Sequence, residues 1–311
     1  MTAEVSSHDV GDGWKLTIFE AMADHAGPIV SILGGVHGDE LEGVAAARTL
    51  AGRCSAGLRK GGVRIVDIAN PPAFQARTRC SPVDGADLAR TFPGRQNGSV
   101  TERVADVLSR RVIAGSDLLI DLHSAGSAYA MPLFVGCLGG SSSISQRSVS
   151  AATAFAAPLG WIHDEVGPGR SISAAYDSGI PAVYVEGGGG AALTRADLSG
   201  YVEGTWRVMS SLGLVDDSLP PAFATRWIRG GDGDVDAMRP TSVAGWCVTT
   251  VSVGDTVAEG DLLAEIIDAR GEVVESFVAH RQGTVMMLRR RAEVEAGDGI
   301  VMVGPPAEAG A

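Results

Sequence analysis

The sequence predicts an α/β fold: an open, largely parallel sheet flanked by helices, followed by a small all-β domain. Three observations point there. Apolar strand-like runs alternate with helical patterns up to about Pro220. None of those runs reaches the length of a membrane span. Beyond Pro220 the texture changes to short Val- and Gly-rich runs with repeated turn signals, as in "VSVGDTVAEGDLL" and "VEAGDGIVMV". The expected organisation is therefore residues 1–220 as an α/β catalytic domain and 221–311 as a β-rich C-terminal domain, with "LPPAF" as the linker.

The elements follow in order. "WKLTIFEAMA" (Trp14–Ala23) alternates loosely and reads as an early strand. "PIVSIL" is a short apolar strand that runs into "GGVHGDELEG" (Gly34–Gly43). "LEGVAAARTLAGRC" has helical spacing and is rich in Ala and Leu. "GGVRIVDIANPPAF" is a second buried strand, stopped at Asn70-Pro71-Pro72 because proline cannot donate to a ladder. "SVTERVADVLSRRVIAG" is a helix with Ser99 and Glu102 at capping-box spacing. "DLLIDLHSAG" is a third buried strand, ending in His123. "AATAFAAPLG" reads as helical, and "GIPAVYVEGGGG" as a fourth buried strand, ending in Glu186 and four glycines.

Composition narrows the partners. The chain has 311 residues, 45% hydrophobic and 20% charged, an ordinary balance for burying a core. Its formal net charge is −12 and its pI about 4.9. Nucleic acid and an anionic membrane surface both demand a basic face, so neither is expected as a partner. The four cysteines (Cys54, Cys80, Cys137, Cys247) show no paired spacing and read as small apolar residues in a reducing compartment. No basic-then-apolar leader opens the sequence, so a cytoplasmic location is expected.

Ligand sites in such sheets lie beyond the carboxyl ends of the strands. His37 and Glu40, His123 and Glu186 all stand just past predicted strand ends. His37 and Glu40, separated by two residues, together with His123 offer two imidazoles and one carboxylate, a catalytic zinc donor set that leaves a position for water. Asp39 and Glu42 are competing acids. Asp39 could instead turn the loop or hold a ligand histidine, and Asp121 reads as a buried acid near the site. Glu186, facing glycines at the end of an apolar strand, suits a general base whose pKa is raised by desolvation. The turn-rich stretch "NPPAFQARTRCSPVDGADLARTFPG" (Asn70–Gly94) carries Arg77, Arg79 and Arg90, and arginine suits carboxylate recognition and oxyanion stabilisation. Arg77 reads as merely solvated.

On "GGVHGDELEG", "NPPAFQARTRCSPVDGADLARTFPG", "DLHSAG" and "GIPAVYVEGGGG", in that order, the sequence resembles the succinylglutamate desuccinylase/aspartoacylase family, relatives of the zinc carboxypeptidases. In detail it is most similar to the bacterial N-acyl amino acid deacylases, such as N-acetyl-diaminobutyrate deacetylases. The resemblance implies a zinc-carboxypeptidase-like open mixed sheet and one Zn2+ per subunit on His37, Glu40 and His123, with Glu186 as general base. It implies that Arg79 polarises the scissile carbonyl, and that Asn70, Ala89 and Arg90 lie on the substrate side. The family motif "DLNR" is "DLAR" here, so Ala89 stands where an asparagine would help Arg90 grip a carboxylate. Losing such a donor to a charged group costs about 1.5–3 kcal/mol, so a changed specificity is expected, towards a substrate held differently or lacking the usual carboxylate.

The expected activity is metal-dependent hydrolysis of a small N-acylated amide. A carboxypeptidase-type peptidase and a non-catalytic small-molecule-binding protein are the alternatives, and a homo-oligomer is compatible with the resemblance. The C-terminal phrases resemble a biotinyl/lipoyl-type barrel-sandwich. However, Lys60 is the last lysine in the chain, so covalent carriage is not expected. Trp227, Trp246 and His280 are the C-terminal residues considered for the site, with ordinary core or surface roles favoured for each.

Overall fold

The structure is a computed structural model and describes residues 1–216 and 224–309. The expected linker "LPPAF" and the boundary at 220/221 lie outside the described residues. A hairpin opens the chain, β1 (Thr2–Gly11) and β2 (Trp14–Met22), turned at Asp12-Gly13, both with positive φ. Then come β3 (Ile29–Gly34), α1 (Leu41–Ser55), β4 (Gly62–Val66), α2 (Pro71–Ala76), α3 (Val100–Val107) and β5 (Leu118–Leu122). They are followed by β6 (Tyr129–Leu138), α4 (Ser143–Phe155), β7 (Leu159–His163), α5 (Ser171–Asp177), β8 (Ala182–Gly189) and α6 (Arg195–Ser211). The capping box expected at Ser99 and Glu102 is formed at the start of α3.

The large sheet is mixed rather than largely parallel. Its centre, β4-β3-β5-β8, is parallel. The hairpin makes one flank antiparallel, and β6 pairs antiparallel with β8 on the other. β1, α2, β6, β7, α5 and α6 were not read from the sequence. β6 carries Pro132 and a register shift between Met131 and Phe134 that breaks its alternation.

The central strands are buried on both faces, which is why they read as continuous apolar runs. Val30, Ile32, Leu118, Ile120 and Leu122 face a core closed by α1, α4 and α6, while Leu33 and Leu119 face a second core beneath α3 and α5. Because β3, β5 and β8 are parallel neighbours, residues following β3 and β5 and those late in β8 gather at one edge of the sheet.

Downstream lie β9 (Arg226–Arg229), β10 (Arg239–Pro240), β11 (Gly245–Thr249), β12 (Thr256–Val257), β13 (Leu262–Ile267), β14 (Val273–Val278), β15 (Gly283–Arg289), β16 (Glu293–Val294), β17 (Gly299–Gly304) and β18 (Glu308–Ala309). A four-stranded sheet, β14-β13-β11-β16, closes over a third apolar core. β15 joins this region to the large sheet by pairing with β6 at Leu288↔Ala130 and Arg289↔Tyr129.

Candidate functional site

The turn after β3 begins the site. Gly38 packs so tightly on α2 that a Cβ there would sit 2.0 Å from the Ala73 carbonyl, so a side chain at this position would push the turn out of place. His37, on one side of that glycine, and Glu40, which opens α1, are each 3% exposed. His123 follows β5 and is held by backbone bonds: its N–H donates to Val185 O, and its carbonyl accepts from the Tyr201 hydroxyl at 2.6 Å.

These three side chains converge. His37 Nδ1 lies 2.6 Å from Glu40 Oε1, and His123 Nδ1 lies 3.0 Å from Glu40 Oε2. One donor atom from each falls within 4.8 Å of the others. The outer nitrogen of each imidazole has its own carboxylate: His37 Nε2 is 3.1 Å from Asp87 Oδ1, and His123 Nε2 is 3.0 Å from Asp121 Oδ2. Two imidazoles and a carboxylate, with each ring oriented by an outer acid, fit a divalent ion. Burial pushes both histidines down, but the facing carboxylates outweigh it and hold both imidazoles above the ordinary histidine value.

Glu186 lies within β8, opposite Phe134, rather than just past a strand end. It is 8% exposed, and its Oε2 has no hydrogen-bond partner among the described residues. Burial holds its carboxyl well above the usual range; Glu40 and Asp236 add to this, against His123 and Arg79.

The three arginines of the Asn70–Gly94 stretch separate in space. Arg77 caps α2 in a left-handed conformation at the surface. Arg79 and Arg90 line the same cavity as His37, Glu40, His123, Ala89 and Glu186, a space of about 250 Å³. Arg79 Nε donates to Asp87 Oδ2 at 3.2 Å. Asn70 does not line the cavity. It is 1% exposed, its Oδ1 accepts from Ala73 N and its Nδ2 donates to Val36 O, so it caps α2 and ties down the turn.

The competing acids have structural work. Asp39 Oδ2 accepts from Ser127 N at 3.0 Å, although Asp39 also borders the cavity. Glu42 Oε1 accepts from Gly189 N at 2.7 Å and so braces the glycines after Glu186.

Sequence reasoning missed several residues in and around the cavity. Asp87, the acid of "DLAR", orients both His37 and Arg79; its place in that motif was the available signal. His163 and Tyr184 stack at 5.6 Å, with Nε2 and the hydroxyl 2.7 Å apart, and Arg170 lies close by. Burial pushes His163 down to about 3. From the C-terminal region, Trp227 packs against the α4/α6 core, Trp246 and His280 are exposed, and none of the three lines the cavity. The segment Asp232–Asp236 and Met287 line it instead. No sequence pattern marks that segment.

A family model described as the succinylglutamate desuccinylase/aspartoacylase catalytic domain matches residues 26–212. The N-alpha-acetyl-L-2,4-diaminobutyric acid deacetylase of Halomonas elongata is 32% identical over 286 residues, covering 91% of this chain and 83% of that protein. A succinylglutamate desuccinylase crystal structure from Silicibacter sp. TM1040 superposes with a TM-score of 0.86 at 27% identity, covering 98% of this chain and 93% of that one. The product-bound ectoine utilization protein EutE (DoeB) of Ruegeria pomeroyi superposes with a TM-score of 0.84 at 28% identity, covering 94% and 89%.

Proposed function

Since the chain belongs to the succinylglutamate desuccinylase/aspartoacylase family, we propose that it is a zinc-dependent deacylase that hydrolyses the amide of a small N-acyl amino acid or related N-acyl compound. The observation that carries this reading is the convergence of His37, Glu40 and His123 in one cavity with a desolvated, unpartnered Glu186 oxygen and with Arg79.

His37, Glu40 and His123 would hold one ion per subunit. When bound, zinc supplies Lewis acidity to a carbonyl oxygen and lowers the pKa of water. The chain's own residues do the rest. Glu186 takes a proton from the water that attacks the carbonyl carbon. As the C–N bond breaks, it returns that proton to the nitrogen, releasing a carboxylate and a free amine. Burial makes Glu186 a stronger base than an exposed carboxylate. Arg79 Nε and Nη2 are bound to Asp87 and Asp236, which fixes the guanidinium and leaves Nη1 to donate to the developing oxyanion. Arg90 lies beside Arg79 at the substrate side. The small cavity favours a compact substrate over a polypeptide.

The test is amine release from a panel of N-acyl amino acids and N-acyl amines without a carboxylate by zinc-loaded wild type and Glu186→Gln. Removing a general acid–base should lower kcat by roughly 100- to 10,000-fold while zinc content stays at one per chain. Equal rates for the two proteins on every amide that is cleaved would defeat the assignment of Glu186. No amine release from any amide would defeat the deacylase reading.

A further inference from the structure

Arg79 and Arg90 bring two guanidinium groups to the substrate side of the cavity, yet both are already paired by the protein itself. Asp236 Oδ2 accepts from Arg79 Nη2 at 3.0 Å and from Arg90 Nη2 at 2.9 Å. A single carboxylate of the protein's own, at the open side of the cavity with a side chain 39% exposed, thus stands where an incoming carboxylate would have to bind. Ala89, beside Arg90 in the lining, adds no side-chain donor.

The segment that delivers Asp236 is a built wall. Gly230 N donates to Ile162 O at 2.9 Å, and Trp161 Nε1 donates to Gly230 O at 2.8 Å. Asp164 N donates to Gly231 O at 2.9 Å. Gly233, at φ +69, lies so flat on the His163 ring that a Cβ would approach its Cε1 to 2.2 Å. Val235 is 9% exposed and belongs to the core beneath α3 and α5. Asp236 N in turn donates to Asp234 Oδ1 at 3.1 Å. The backbone on which Asp236 stands is therefore anchored immediately before it.

The surrounding charge points the same way. Seven carboxylates line the cavity, among the described residues, against three guanidinium groups, Arg79, Arg90 and Arg170. Even with a divalent ion in place the lining carries more negative than positive charge. An added carboxylate beside Arg90 would be repelled by Asp236 at close range, whereas a neutral or cationic group would not.

We propose that Asp236 is a specificity-determining residue: by pairing with Arg79 and Arg90 together, it sets the site against a carboxylate at the Arg90 end of the substrate and in favour of a neutral or cationic group there. The substrate class is then an N-acylated amine carrying an amide, hydroxyl or ammonium at that position. This rests on the deacylase reading above and narrows it.

The test uses three matched ligands: N-acetyl-β-alanine, its primary amide, and N-acetyl-1,3-diaminopropane, which present a carboxylate, a neutral amide and an ammonium at comparable reach. Calorimetry gives Kd for each with the zinc-loaded full chain, as wild type and as Asp236→Asn. Wild type should bind the carboxylate ligand about tenfold more weakly than the other two, and Asp236→Asn should tighten the carboxylate ligand about tenfold while weakening the ammonium ligand. Wild type binding the carboxylate ligand tightest overturns the proposal, whether or not the variant folds. So does a variant that shifts all three ligands by the same factor, since that would mark Asp236 as a general support for Arg79. Acetate release, followed on the same ligands, separates the two readings. If none is released while the Kd pattern holds, the deacylase reading fails and the charge selection stands.

Discussion

Asp87 shows how much one side chain can decide. Its two oxygens reach His37 Nε2 and Arg79 Nε, and Oδ1 also accepts from Ala89 N at 2.8 Å, so one carboxylate couples a metal-ligand candidate to the proposed oxyanion donor. Burial raises its pKa, but His37 and Arg79 outweigh burial and hold it below the usual carboxylate range. Asp87→Asn keeps the shape and the acceptor for Ala89 but loses the charge behind His37. It should weaken zinc affinity about 10- to 100-fold, measured by competition with a chelator. His37 and His123 make a second prediction. Both are held above the ordinary histidine value, so near neutral pH protons must leave when zinc binds. Zinc titrations in buffers of different ionisation enthalpy should show net proton release, and affinity should fall as the solution is acidified. Buffer-independent heats would contradict this.

At the scale of elements, the site depends on what holds strand and helix ends. α6 supplies Tyr201, which is fully buried. Its hydroxyl lies 2.6 Å from His123 O and 3.3 Å from Gly187 O, tying the end of β5 to β8 across the site. Tyr201→Phe leaves those carbonyls without the donor and should cost about 1–3 kcal/mol in urea unfolding. The loss of activity should exceed what the fraction unfolded explains, because His123 loses one of the two bonds that hold its backbone. At the start of α3, Asp84 Oδ2 accepts from Thr101 N at 2.9 Å and Oδ1 from the Thr101 hydroxyl at 2.8 Å. Burial raises its carboxyl, but the bonds from Ser99, Thr101 and Ala86 together outweigh it and bring it from 3.8 down to about 2. A pKa depressed in the folded state adds stability above the unfolded value, and that stability is lost as pH falls through the folded one. Asp84→Ala should therefore cost about 0.5–1 kcal/mol at pH 7, at the low end because the group is solvent-exposed. The gap to wild type should close as pH drops from about 4 towards 2. A gap that stays constant across that range would rule out the carboxylate as the source.

At the scale of the whole molecule, the α/β portion up to α6 and the β-rich portion from β9 onward share a ladder. β15 pairs with β6 on one side and β17 on the other, and the buried Arg289 guanidinium reaches Tyr129 Oη at 3.3 Å and Asp298 Oδ2 at 2.9 Å. Calorimetry should therefore show a single unfolding transition rather than two. The parallel centre of the sheet was legible because strands buried on both faces leave continuous apolar runs, and His37, Glu40, His123 and Glu186 were legible because each sits at or near the end of such a run. β6 was not legible, since Pro132 and a register shift erase its alternation. Asn70 was misplaced because a polar residue before two prolines looks alike whether it faces a ligand or caps a helix. Asp236 was invisible because an aspartate in a Gly-Asp turn carries no sign of a partner some 150 residues upstream. What the sequence determined by itself was the set of chemical groups and the strands that present them, since period and donor type are local properties. Which carboxylate faces which imidazole, and whether the arginines are free or already paired, was decided by tertiary structure alone, because electrostatic pairing depends on distance in space and chain position does not encode it.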